Sequence, residues 1–186
     1  MAGKVKNITM DTTAPAAPGL PDLIGLPLVV AHHAGNMRGF HFGEVTTSEL
    51  GIAGQYALHI QCPWRIEYED EAILTGFHDW YRFVDNGTAA VPSGSWDPAR
   101  GGSLQELRLR ELFDCPFDTS KTIINRTGRL IVTEVTLDRL GGFAIVLDQR
   151  LRIVSFPCSS EGEQWRLFRP DHEGPHLVWE TSPPAG

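Results

Sequence analysis

The sequence predicts an α+β fold that is mainly antiparallel β: a meandering sheet, or a partly closed barrel or sandwich, with one capped helix packed on it. Three observations carry that expectation. Apolar residues recur with period two in many short segments, turn residues separate those segments, and a single stretch combines helical spacing with a helix-start signal.

The clearest alternation is Tyr56, Leu58, Ile60, Cys62, Trp64 and Ile66 on one face, with Ala57, His59, Gln61, Arg65 and Glu67 between them, which reads as a half-buried strand. Pro63 lacks a backbone donor and so marks a bulge or an edge. Upstream, residues 28–33 and 37–42 flank Ala34-Gly35-Asn36. A two-residue turn at Gly35-Asn36 places Val29, Ala31, Phe40 and Phe42 on the core face and leaves His32 and His41 diagonal to each other on the opposite face. Downstream, residues 129–137, 143–147 and 151–156 form a meander broken at Gly141-Gly142 and near Asp148-Gln149-Arg150. Short strands around 164–168 and 176–179 complete the sheet.

The helix starts at Ser103-Leu104-Gln105-Glu106, a capping box in which the serine hydroxyl and the glutamate carboxylate each satisfy a free backbone donor. Leu104, Leu107, Leu109, Leu112 and Phe113 follow at mostly helical spacing and lay the helix over a sheet face. The 186 residues suit one domain, assigned to 23–180. Residues 1–22, with Pro15, Pro18 and Pro21, read as a flexible leader, and 181–186 as a loose tail.

Composition narrows the function classes. A 41 % hydrophobic and 21 % charged chain is ordered and soluble. The three cysteines, Cys62, Cys115 and Cys158, stand at unrelated spacings and suggest neither a disulfide framework nor a zinc knuckle, so a reducing cytoplasmic setting is expected. No apolar run reaches the roughly 20 residues of a membrane span. The formal charge of −7 disfavours nucleic acid and suits a basic protein partner, or simply keeps the chain in solution.

No catalytic residue is assignable. There is no phosphate-binding glycine loop and no nucleophile elbow. His172-Glu173-Gly174-Pro175-His176 has the lettering of a zinc peptidase, but Gly174 and Pro175 break the helix that such chemistry needs. Cys62 lies on an apolar face, where a thiol is inert packing. No cofactor or metal is expected; the candidates for one are His32, His41 and His59, which bind zinc or exchange protons if their strands are neighbours, and strand order is open. For binding, the segment 77–83 is dense in hot-spot residue types, and His78, Asp79, Trp80, Tyr81 and Arg82 are the candidates, although Trp and Tyr also fill cores. Glu67, Glu69, Asp70 and Glu71 form an acidic cap that faces a basic partner or solvates a hairpin end. The Gly- and Pro-rich loop 85–102 is a functional cover or a tolerated insertion.

Leu26, Met37, Phe40, Phe42 and Gly43, then the block Leu58-His59-Ile60-Gln61-Cys62-Pro63-Trp64-Arg65-Ile66, and finally Gln164-Trp165-Arg166-Leu167-Phe168 with His176, resemble a family of small uncharacterised bacterial proteins. The resemblance implies a bacterial cytosolic origin and a compact β-rich domain, and it brings no site with it. The leading expectation is a non-enzymatic, immunity-like module that binds a basic protein. The rival is a small-molecule binder or enzyme whose pocket lies between sheet and helix under the 85–102 loop, with His32, His41, His59 and Asp79 as its polar groups.

Overall fold

The computed structural model describes residues 16–48, 51–69, 71–85, 89–92, 102–116 and 120–182. Among the described residues the architecture is antiparallel β with one α-helix, as expected. One sheet has six strands: β1 (Leu28–Ala34), β2 (Met37–Ser48), β3 (Gly51–Ile60), β8 (Thr122–Ile124), β12 (Gly162–Phe168) and β13 (Leu177–Thr181), in the order β13-β12-β3-β2-β1-β8. The second has five: β4 (Trp64–Tyr68), β5 (Ala72–Gly76), β9 (Val132–Leu137), β10 (Phe143–Leu147) and β11 (Leu151–Ser155), in the order β5-β4-β11-β10-β9. A separate ribbon pairs β6 (Arg82–Asp85) with β7 (Ala89–Pro92), the latter inside the segment 85–102 expected to be a loop; 86–88 and 93–101 lie outside the described residues.

The expected single strand through Pro63 is two strands in two sheets. β3 ends at Ile60, the chain turns through Gln61-Cys62-Pro63, and β4 starts at Trp64 in the other sheet. The alternation survives the corner because both sheets turn their inner faces to one core: Tyr56, Leu58, Ile60, Cys62, Trp64 and Ile66 are all buried in it. Phe40 meets Trp64 across the interior edge-to-face at 5.2 Å, and Phe143 meets Trp165 at 5.4 Å. A second corner is hydrogen-bonded: Gly25 N–H donates to Val132 O and Val132 N–H to Leu26 O.

The turn at Gly35-Asn36 forms as read, with Ala34 opposite Met37 and Gly35 at positive φ. Its core face differs at one position. A bulge between Leu28 and Val30 sets Leu28 opposite Phe42, so Leu28 joins Ala31, Phe40 and Phe42 in the core and Val29 does not. The chain enters the core earlier than residue 23, because Leu20–Leu23 forms a 3-10 helix that buries Leu20 and Leu23. Residues 1–15 and 183–186 are outside the description.

Helix α1 (Leu104–Leu112) carries the capping box: Ser103 Oγ accepts from Glu106 N–H at 3.2 Å, and Glu106 Oε2 accepts from Ser103 N–H at 2.9 Å. The buried face is Gln105, Leu109, Arg110 and Phe113, not the full leucine stripe. The helix sits against edge strand β5 and a short 3-10 helix, Phe77–Tyr81, and there Gln105 Nε2 donates to Gly76 O at 2.8 Å. Among the described residues no helix is long and apolar enough to cross a membrane. Ser103→Ala removes the acceptor of one buried cap, and urea unfolding should show a loss of about 1 kcal/mol with an unchanged m-value.

Candidate functional site

The outer face of the six-stranded sheet brings the three candidate histidines together. His32 pairs with Gly39, Gly39 pairs with His59, and His41 stands one row along on β2. Three neighbouring strands therefore each present one imidazole on the same side, opposite the core side chains of Ala31, Phe40 and Leu58. One ligating nitrogen from each ring lies within 4.8 Å of the others.

Glycine makes the convergence possible. Gly39 sits under the His32 ring, and a methyl group there would fall inside the imidazole, so the missing side chain lets His32 lie across β2 towards β3. Gly54 backs His41 on the other side, where an added Cβ would stand 2.8 Å from Phe42 O and 3.0 Å from His41 Cβ. A bulge between Phe42 and Val45, with Gly43 at positive φ, leaves the Gly54 amide to the side chain.

The hydrogen bonds set the tautomers. Gly54 N–H donates to His41 Nδ1 at 3.0 Å, so the proton of that neutral ring is on Nε2. It points to His32 Nδ1 at 2.9 Å. His59 completes the group, with its ring 5.2 Å from His32 and 6.4 Å from His41. Phe168 stands edge-on to His59 at 4.8 Å, and His176 stacks on Phe168 at 4.7 Å, forming one wall. Burial holds His41 down to about 3, helped by His32 and His59. Burial likewise lowers His32 to about 4, with Arg38 and His33 adding, and His59 to about 4, with His32 and Arg166 adding. All three rings are neutral at pH 7, the state in which imidazole ligates metals.

The other candidates are dispersed. Asp79 is not with the histidines; it accepts from Gly76 N–H at 3.1 Å and caps the 3-10 helix. Trp80 turns inward against His33, at 4.5 Å, while His78, Tyr81 and Arg82 are exposed. The acidic cap is paired within the chain: Arg150 holds Glu69 and Glu71, and Glu67 is buried between Arg65 and Arg152; Asp70 is outside the described residues. The 172–176 segment is not helical, as its proline and glycine required. His172 instead lines a cleft of about 290 Å³ with Glu44, Thr46, Gln55, Arg169 and Asp171. All three thiols are free, and burial pushes Cys62 up to about 12, which keeps it inert.

Reading the sequence passed over Gly39 and Gly54, and did not connect Phe168 or His176 with the histidine group. A glycine inside a strand, as at 39 and 54, signals a close approach of neighbouring groups; Phe168 and His176 had no local signal. No family model, curated protein or solved structure matches the chain.

The depressed histidines give a pH prediction. They titrate near 6.5 when unfolded and near 3 to 4 when folded. Between those values the unfolded chain binds more protons, so stability is complete above about pH 6.5 and falls as the pH drops through that window. Guanidinium unfolding of chelator-treated protein at pH 7.5, 5.5 and 4.5 should show the fall, and His41→Gln should flatten it.

Proposed function

We propose that the protein binds a late first-row divalent metal ion of the zinc type through His32, His41 and His59. The observation that carries the reading is the placing of three neutral imidazoles, one from each of three adjacent strands, within 4.8 Å of one another. Tetrahedral zinc at about 2.05 Å from each nitrogen spaces its ligands about 3.3 Å apart, so shifts of about an ångström suffice. No fourth side chain among the described residues joins the group. The ion therefore keeps a position for water or for a ligand brought by a partner, the arrangement of catalytic rather than structural zinc sites.

The surroundings set the affinity. A ligating histidine normally donates its second nitrogen to an acceptor, whereas His41 Nδ1 faces the donor Gly54 N–H. To ligate through Nε2, His41 moves its proton to Nδ1 and gives up that bond, at about 1–3 kcal/mol. A micromolar site gains about 8 kcal/mol, so the metal wins when it is present, with an affinity reduced about tenfold or more. Calorimetric titration of zinc into metal-free protein should give one site with a dissociation constant near micromolar. His32→Ala and His59→Ala should weaken it at least tenfold, and Gly39→Ala should do the same by displacing His32. Absence of heat and of any shift in the histidine NMR signals would sink the reading.

A second reading, partner binding, is favoured by the exposed side chains of two consecutive elements. Ile73 on edge strand β5 is 63 % exposed and Tyr81 beside the 3-10 helix is 49 % exposed, next to exposed His78 and Arg82. If a protein docks there, capture from the native cell with wild-type bait should recover a stoichiometric partner that Ile73→Asp/Tyr81→Ala bait loses; equal recovery by both would remove this reading.

A further inference from the structure

The cleft of about 290 Å³ that His172 lines opens on the outer face of the six-stranded sheet, one residue row along from the histidines. The register places it there. Ala57 pairs with His41 on one side and with Phe168 on the other, and Gln55, which lines the cleft, is the next residue of β3 on that face, about 7 Å along the strand.

A bulge in β2 and a turn after β12 supply the rest of the lining. Gly43 stands at positive φ in the bulge, and a Cβ there would fall 2.7 Å from Gln55 Oε1, so the missing side chain leaves Gln55 room to lie across β2. Glu44 follows in the same bulge, a device that re-aims side chains. Opposite, the turn Arg169-Pro170-Asp171-His172 is closed by His172 N–H donating to Arg169 O at 3.3 Å, and Thr46 Oγ1 ties it to β2 by donating to Asp171 Oδ2 at 2.8 Å.

Both signs of charge line this cleft without neutralising each other. Arg169 is held in place by Tyr56: Nη2 donates to the phenol oxygen at 3.1 Å, and the guanidinium lies 5.2 Å from the ring centroid. Its Nε is buried and has no partner. Among the described residues no carboxylate pairs with Arg169, although Glu44 and Asp171 face the same space, and Glu44 is exposed with no hydrogen bond or ion pair of its own. A plain anion entering here would meet two carboxylates, and a plain cation would meet the guanidinium. A ligand that carries both charges suits both walls. The volume lies at the lower edge of the roughly 300–1,000 Å³ usual for ligand pockets, so the occupant is small. We infer that the cleft binds a free α-amino acid, with its carboxylate on Arg169 beside the Gln55 amide and its ammonium on Glu44 and Asp171. This site needs no metal and does not rest on the metal reading.

The test uses the chelator-treated full chain, titrated with the common L-amino acids one by one and with propionate and ethylammonium as single-charge controls at matched ionic strength. Thermal midpoint and the NMR signal of the Gln55 side-chain amide are followed together. At least one amino acid should stabilise the chain in a saturable manner and move the Gln55 signal, with a dissociation constant at least about tenfold below that of either control. Glu44→Gln, at an exposed position with no contact to lose, should weaken that binding about tenfold, and Arg169→Gln at least as much. If Arg169→Gln does not fold, Glu44→Gln and Asp171→Asn decide. Indifference to every amino acid, propionate or ethylammonium binding as tightly as the best of them, or a Glu44→Gln protein that binds like wild type would each overturn the inference.

Discussion

The register of β1, β2 and β3 is the constraint on which the rest depends. Side chains alternate across a sheet, so the pairing of Ala31 with Phe40 and of Phe40 with Leu58 also commits His32, Gly39 and His59 to one row on the other face. A slip of one residue would bury three imidazoles and expose Phe40, Phe42 and Leu58. The penalty for that exchange, on the order of 2 kcal/mol for each large apolar side chain, pins the strands. The two-residue turn at Gly35-Asn36 selects the same register locally, so turn chemistry and burial agree.

The same sheet does different work on its two sides. Inside, it supplies most of a core shared with the five-stranded sheet, and at one end it must accommodate Arg38, which ties β2 to α1 through Gln105 and on to β5 through Gly76. Outside, Gly39 and Gly54 take the place of side chains and let imidazoles occupy the room. Of the outer rings His41 is buried and His32 and His59 are half-buried, and the aromatic wall of Phe168 and His176 and the rings themselves contribute to the shielding. That shielding holds them neutral at physiological pH.

Much of the fold was legible. The Gly35-Asn36 turn, the meander of β9, β10 and β11, and the Ser103 to Glu106 cap appear where their residues place them, because each depends on contacts between residues close in the chain. Long-range geometry escaped. Alternation through Pro63 looks the same whether the strand continues or turns into a second sheet, since the inner face is buried either way. The acidic cap read as a surface for a partner or a solvated hairpin end because Arg150 and Arg152, which pair with it, are some 80 positions away in the chain.

The histidines divide the two kinds of information most clearly. Period two and one glycine turn were enough to assign His32 and His41 to the non-core face, and alternation alone did so for His59. Whether those faces belong to one sheet, and in which order, was decided by tertiary structure, because strand adjacency arises from non-local burial that no short window records. The tautomer of His41 was decided in the same way. It follows from the Gly54 amide, thirteen positions along the chain, which a bulge frees to donate to the ring.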